Sequence, residues 1–279
     1  ENNKSGILDI EIKKPNFQFF KVSVMPGPSN LLEDSNSVII FFKDLTDIIK
    51  VQKLKSDFVA NVSHELRTPL QSIKLGLETI NNGHAAKDLE SQKKILPVVL
   101  QQTSRMENIV NDLLSLSRIE LQEHIRPNEK VNLNDIISHS IELHQEILKK
   151  NNIECQFERE SKNVKINGDR NRLIEVFNNL IDNAIKYSEK NKKITITTKS
   201  ENKNFLVTIK DQGIGISKEN IPQVTERFFR VDPAKSKEVG GTGLGLAIVK
   251  HIVNQHRAEM TISSEINKGT EISLNFPTI

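Results

Sequence analysis

Apolar residues return every three or four positions from Val51 to Ile80: Val51, Leu54, Phe58, Val62, Leu66, Leu70, Ile73, Leu77 and Ile80. That period predicts one long amphipathic helix over about 46–82. Asn81-Asn82-Gly83 supplies its stop. A second helical run over about 88–121 carries Leu89, Leu96, Val99, Met106, Ile109, Leu113, Leu116 and Ile119 on its seam. Two long helices with one apolar stripe each cannot bury both stripes as a lone hairpin. Pairing with a second copy into a four-helix bundle does bury them. Two prolines interrupt the pattern. Pro69 lacks the N–H that would bond to the Glu65 carbonyl, which predicts a bend beside His64, and Pro97 predicts a distortion of the second helix.

The segments on either side read differently. Ile7–Ile12, Phe17–Val24 and Val38–Phe42 are strand-like and separated by proline- and glycine-bearing turns. Three strands are too few for a core of their own. His124-Ile-Arg-Pro127-Asn-Glu-Lys130 is a short polar connection. Beyond it helices are expected at Leu133–Lys150, Arg170–Tyr187 and Leu244–His256, with strands at Ile153–Glu158, Ile194–Lys199, Phe205–Lys210, Met260–Ser264 and Glu271–Phe276. Helices over one side of a mixed sheet make a two-layer α/β sandwich.

Composition narrows the partners. The 39 Lys+Arg against 36 Asp+Glu in 279 residues leave a net charge of +3, too balanced for nucleic acid as the main partner. A single cysteine, Cys155, excludes an internal disulfide framework. No stretch reaches the ~18–20 apolar residues that cross a bilayer. The chain opens abruptly on Glu1, as part of a longer protein would.

Four motifs follow one another in order. The first is Ser63-His64-Glu65-Leu66-Arg67-Thr68-Pro69-Leu70; the second is Asn179-Leu-Ile-Asp-Asn183-Ala-Ile-Lys186-Tyr187. The third is Asp211-Gln-Gly213-Ile-Gly215-Ile216, and the last Gly240-Gly241-Thr242-Gly243-Leu244-Gly245-Leu246. As a set they resemble the sensor histidine kinases of two-component signalling, with their phospho-acceptor box and the asparagine and glycine boxes of a GHKL-type ATP-binding domain. The resemblance runs from about residue 46 to the end. It implies a dimeric four-helix bundle followed by an α/β sandwich of the GHKL (Bergerat) ATPase fold. The opening strands resemble the last strands of a PAS domain. The domains expected are a PAS-like part at 1–45, a dimerisation and histidine phosphotransfer domain at 46–122, a linker at 123–130 and an ATP-binding domain at 131–279. Many kinases of this kind are anchored in the bacterial inner membrane by upstream helices, so the resemblance implies that this chain is the cytoplasmic portion of such a protein.

Several roles have a physical basis in the residues themselves. Asn179 and Asn183 lie one helical turn apart, with Lys186 and Tyr187 a further turn along, so the four share a face. Asn183 offers a neutral amide oxygen suited to Mg²⁺. A carboxylate only accepts hydrogen bonds. Adenine offers an amino donor where guanine offers an acceptor, so a buried Asp211 selects ATP over GTP. Gly213 and Gly215 allow close approach to the nucleotide. Gly241, Thr242, Gly243, Leu244 and Gly245 open a helix whose N–H groups can hold phosphate. Neutral His64 has a ring nitrogen lone pair at physiological pH, and Glu65 can take the proton it releases.

Other roles come from the resemblance. It gives the matching asparagine (Asn183) the Mg²⁺, the matching aspartate (Asp211) the adenine, and Lys186 a place near the triphosphate. Arg230, in Glu226-Arg-Phe-Phe-Arg-Val-Asp232, matches an arginine facing the γ-phosphate, and Thr225 stands where many members have phenylalanine. Thr68 matches a threonine that positions water for dephosphorylating the response regulator. The expected partners are a second copy through 46–122 and a response-regulator receiver domain seated near Ser72, Gly76 and Thr79. No nucleic acid is expected, and membrane contact only through segments absent from this chain. Lys55–Val62 and Asn254-Gln-His-Arg257 resemble the phosphate-regulon sensor kinases. An ATP hydrolase of the same superfamily is the alternative; there a glutamate stands where this chain has Asn179, which cannot act as a base. A dimeric scaffold without catalysis is the other.

Overall fold

The computed structural model describes residues 6–13, 17–26, 38–82, 88–161, 164–189, 191–201, 203–232 and 240–279. The chain divides into two compact units, Glu1–Glu65 and Leu66–Ile279.

In the first unit β1 (Gly6–Ile12), β2 (Gln18–Pro26) and β3 (Val38–Asp44) form an antiparallel meander in the order β1-β2-β3. The sheet hands the chain directly to α1 (Thr46–Asn82). The junction is tied down by three bonds. Asp44 Oδ1 accepts the Thr46 N–H at 2.8 Å, Thr46 Oγ1 accepts the Phe19 N–H at 2.9 Å, and the Leu45 N–H reaches the Phe19 carbonyl at 2.8 Å. Thr46 is buried by this arrangement. Satisfying the first-turn donors from a strand fixes where the helix starts.

Helix α2 (Leu89–Leu121) begins at Asp88, whose carboxylate accepts the Glu90 N–H at 3.1 Å. Pro97 lies inside α2 and Pro69 inside α1, and both helices continue through them. Gly76 corrects the expected docking face. A Cβ there would stand 2.7 Å from Val99 Cγ2 and 3.3 Å from Ile95 Cγ2, so this glycine lets α1 approach α2. Ser72 and Thr79 remain exposed, with their hydroxyls donating to the Thr68 and Leu75 carbonyls.

The C-terminal α/β layer is built around five strands in the order β5-β7-β8-β10-β9: Glu154–Glu158, Lys193–Glu201, Asn204–Lys210, Gly269–Pro277 and Glu259–Glu265. Only β5 and β7 run parallel. Alternate residues Ile194, Ile196, Phe205, Val207, Leu274 and Phe276 are buried, as period-two alternation requires of a sheet covered on one face. The helices above it are α3 (Leu133–Leu143), α4 (Gln145–Asn151), α5 (Arg170–Tyr187) and α6 (Gly245–Gln255). Leu173, Val176, Phe177, Leu180 and Ile181 of α5 complete the core with Ile248 and Ile252 of α6.

Two features depart from the sequence reading. The helix expected over Leu133–Lys150 is two helices, broken at His144, which takes φ −98° and ψ 2° while its ring Nδ1 bonds the Ser140 carbonyl at 2.8 Å. A small second sheet pairs β4 (Lys130–Asn132) with β6 (Lys165–Asn167), in stretches where no strand is expected. Among the described residues no helix is long and apolar enough to cross a membrane.

Candidate functional site

Helix α5 carries the asparagine motif, and its start is held by an interlocked pair. Asp169 accepts the N–H groups of Asn171 and Arg172 at 2.9 and 3.1 Å. Its own N–H donates to His256 Nε2 at 2.9 Å, and His256 Nδ1 lies 2.7 Å from the Ile252 carbonyl. A backbone N–H can only donate and a carbonyl only accept, so this imidazole is the neutral form protonated at Nδ1. Burial, opposed in part by the Ile252 bond and the nearby Asp169 charge, holds its pKa below the usual histidine value. His256 is thus a packing residue that ties α6 to α5.

Between α5, the β8 end and the start of α6 lies a cavity of about 350 Å³. It brings together Asn179, Asn183, Lys186, Tyr187, Asp211, Gly215, Arg230, Gly241, Thr242, Gly243 and Gly245. Two expected residues stand behind its wall. Gly213 is buried and donates its N–H to Asp211 Oδ1 at 2.8 Å. Leu244 is fully buried, and its N–H reaches Thr242 Oγ1 at 3.2 Å.

The lining of the cavity is mixed in chemistry. Ile209, Ile214, Val224 and Ile272 line the cavity together with Asp211. Both backbone bonds to Asp211, from Gly213 and from Thr270 at 3.0 Å, land on Oδ1, which leaves Oδ2 for a ligand. Burial raises this carboxyl above the ordinary aspartate range, and those two bonds offset part of the rise. An apolar slot with one acceptor is a site for a flat, hydrogen-bond-donating ring. Gly215 makes the slot possible: its φ is +70° and an added Cβ would run into the Glu265 carbonyl.

The rest of the lining is amides, glycines, the cations Lys186 and Arg230, and carboxylates, Asp112 and Asp182 among them. Lys186 pairs with Asp182 at 2.6 Å. Asn179 Nδ2 donates to the Glu175 carbonyl at 2.9 Å, and its Oδ1 sits where a Cβ on Gly245 would come within 2.6 Å. The α5 amide therefore sets how closely the glycine loop can approach. Arg230 donates to the Thr242 carbonyl at 3.0 Å. Donors and cations at a helix start suit phosphate, and the Asn183 amide oxygen on the same wall fits a Mg²⁺ that takes few protein ligands. Among the described residues no group of three His, Cys, Asp or Glu is placed to hold a metal.

Helix α2 adds residues that the sequence reading missed: Asn108, Asn111 and Asp112 also line the cavity. Asp112 Oδ2 accepts the Thr242 hydroxyl at 2.7 Å. No local signal marks them, because three polar residues on the outer face of an amphipathic helix read as solvated.

His64 is exposed on α1, with Glu65 beside it and Thr68 one turn on; Pro69 is buried. Of the other histidines, His251 lies 4.0 Å from both Glu120 and Glu123.

A sandwich with an asparagine-bearing helix and a glycine loop around one cavity is a nucleotide-site architecture. Residues 168–279 match the histidine kinase-, DNA gyrase B-, and HSP90-like ATPase family. Residues 54–122 match the His Kinase A (phospho-acceptor) domain, and with both domains the chain belongs to the sensor histidine kinases of two-component systems. It is 34% identical over 255 residues to the sensor-like histidine kinase SenX3 of Mycobacterium tuberculosis (strain H37Rv), covering 91% of this chain and 62% of that protein. It is also 34% identical over 289 residues to the sensor protein kinase WalK of Staphylococcus aureus (strain Newman), covering 99% of this chain and 45% of that protein. The chain thus spans roughly half to two thirds of these relatives. Among solved structures it resembles the Acinetobacter baumannii histidine kinase AdeS, with a TM-score of 0.61 and 26% identity over 77% of this chain and 97% of that one. The histidine kinase ThkA, solved in complex with the response regulator protein TrrA, shares the fold at a TM-score of 0.63 and 24% identity, covering 99% of this chain and 80% of that one.

Proposed function

We propose that this chain is the cytoplasmic kinase portion of a homodimeric sensor, in which ATP phosphorylates His64 and the phosphoryl group passes to an aspartate of a response regulator. The observation that carries this reading is the single cavity uniting Asp211, Asn183, Lys186 and the Gly240–Gly245 loop. Asp211 takes the adenine amino group. Lys186 and the loop N–H groups hold the phosphates, and Arg230 serves the γ-phosphate. Asn183 would hold Mg²⁺ through its amide oxygen, and the ion would supply positive charge to offset that of the phosphates.

A ring nitrogen of neutral His64 attacks the γ-phosphorus as the bond to the β–γ bridging oxygen breaks. ADP leaves with that electron pair, and Glu65 takes the imidazole proton. The P–N bond then breaks as an aspartate of the receiver domain forms its acyl phosphate. Thr68 would direct water at the phosphorus of that acyl phosphate in a separate phosphatase reaction, which frees the aspartate carboxylate and releases inorganic phosphate. The domains fall at 46–122 for dimerisation and phosphotransfer and 131–279 for ATP binding, joined by 123–130. Residues 1–45 would close a PAS-like sensory domain, with a membrane anchor in the parent protein.

Incubation with γ-labelled ATP and Mg²⁺ tests the mechanism. Acid-labile, alkali-stable label is expected on the wild type and absent from His64→Gln and Asn183→Ala. Label persisting on His64→Gln would assign the wrong nucleophile. ATP bound with no label on any chain would favour a scaffold. For the base, Asp211→Asn should erase the preference for ATP over GTP, a change of about tenfold or more in relative affinity.

A further inference from the structure

We infer that Asp112 makes helix α2 a latch on the nucleotide site, so that docked α2 and bound ATP disfavour each other. The inference rests on the ATP site proposed above. Thr242 is the pivot. Its hydroxyl accepts the Leu244 N–H at 3.2 Å and donates to Asp112 Oδ2 at 2.7 Å, while Arg230 holds its carbonyl at 3.0 Å. The loop that would cradle phosphate is thus fastened by a carboxylate from another helix, and that carboxylate lines the cavity. Polyphosphate entering here meets a like charge in a site partly closed to water, where repulsion is strong.

Two further carboxylates, Glu175 and Asp182, stand near Asp112. Burial raises its carboxyl, and Glu175 and Asp182 add to the rise, against the Thr242 bond and Lys186. Lys186, the cation suited to phosphate, is already paired with Asp182.

The docking of α2 is broad. Ser115 bonds Glu175 and accepts from Arg172 at 3.1 Å on α5. Glu120 pairs with Arg227, and Gln255 Nε2 donates at 3.1 Å to the carbonyls of both Gln122 and Ile125. Arg126 returns the favour from the connection, donating to the Asn254 and Gln255 carbonyls at 2.9 and 3.0 Å. Because linkage is reciprocal, nucleotide binding should loosen all of these contacts, and loosening any of them should favour nucleotide.

The test measures binding of a non-hydrolysable ATP analogue with Mg²⁺ by calorimetry, on the full chain and its Asp112→Asn and Glu120→Gln variants. Glu120 lies outside the cavity, so its substitution weakens docking without altering charge at the phosphates. Both variants should bind more tightly, Asp112→Asn by on the order of tenfold and Glu120→Gln by less. Hydrogen exchange at amides 108–121 should rise in the wild type when the analogue is added. Tighter binding by Asp112→Asn alone, with no change at Glu120→Gln, would overturn the latch and leave Asp112 a local charge. Weaker or unchanged binding by Asp112→Asn would overturn it too, and weaker binding would point to a ligand role. Failure of every chain to bind the analogue would reject the ATP site itself, and the latch with it.

Discussion

In the α/β layer Ile137, Leu173, Phe177 and Ile248 are fully buried, whereas along the hairpin Val51, Leu54, Leu77 and Leu89 remain 63%, 65%, 50% and 71% exposed. Both regions carry apolar residues at helical spacing. The difference is what stands opposite. The stripe of α5 meets a sheet and two neighbouring helices of the same chain. Most of the apolar residues of α1 and of the first half of α2 stay uncovered among the described residues, and on α2 only Ile109, Leu116 and Ile119, toward the α/β layer, are fully buried. One region is covered within the chain; the other leaves apolar residues exposed, as the bundle partner proposed above requires. Apolar periodicity therefore reports that a face will be covered, without saying by which molecule.

The largest effect should come from the hairpin. Leu54→Glu places a charge in the proposed bundle seam, where an unpaired charge is strongly disfavoured. Sedimentation or light scattering should show a dimer become a monomer, with the α/β layer still folded. A variant that stays dimeric would break the comparison by showing this stripe to be ordinary surface.

Next in size is the opposite case. Phe177→Ala empties the core of the α/β layer and should cost about 3–5 kcal/mol in chemical unfolding, while the dimer survives. A loss under about 1 kcal/mol would mean the layer is less closely packed than its burial implies.

Gly245→Ala separates site from stability. The new methyl meets the Asn179 oxygen, so one of them must shift. Nucleotide affinity should fall about tenfold, with unfolding stability changed by roughly 1 kcal/mol. Equal affinity in the two chains would mean the loop does not need that close approach.

The smallest effects concern the α5–α6 tie. Asp169→Ala removes a cap and should cost about 1 kcal/mol. His256 adds a pH dependence of definite sign. Its pKa is lowered in the folded protein from 6.5, so its contribution is present above about pH 6.5 and is lost as pH falls toward the depressed folded value. His256→Gln should flatten that part of the stability profile; an unchanged slope would place the titration elsewhere.

Much of this molecule was legible in advance because its signals are local. Helix α5 has the bounds expected, Arg170–Tyr187, since Asp169 caps it and its apolar stripe is unbroken. The strands fall within three residues of their expected limits because alternation and turn residues act between near neighbours. The motif residues reach one cavity because α5, the β8 end and the glycine loop each carry theirs at a fixed local position. The break at His144 was hidden, since Leu133–Lys150 keeps a helical pattern across it. The β4–β6 pair was hidden as well, being two three-residue strands that pair in a sheet only with each other, across more than thirty positions.

What residue order alone determined here is the set of periods, caps and motifs: two long amphipathic helices, an α/β layer, and four boxes in a fixed sequence. Those follow from backbone geometry acting over a few residues. Only the tertiary structure decided that Gly76 faces Val99, that His256 is neutral with its proton on Nδ1, and that Asp112 reaches Thr242 across 130 positions. Each of these depends on which surfaces meet once apolar area is buried, and side chains far apart in the chain carry no local record of that meeting.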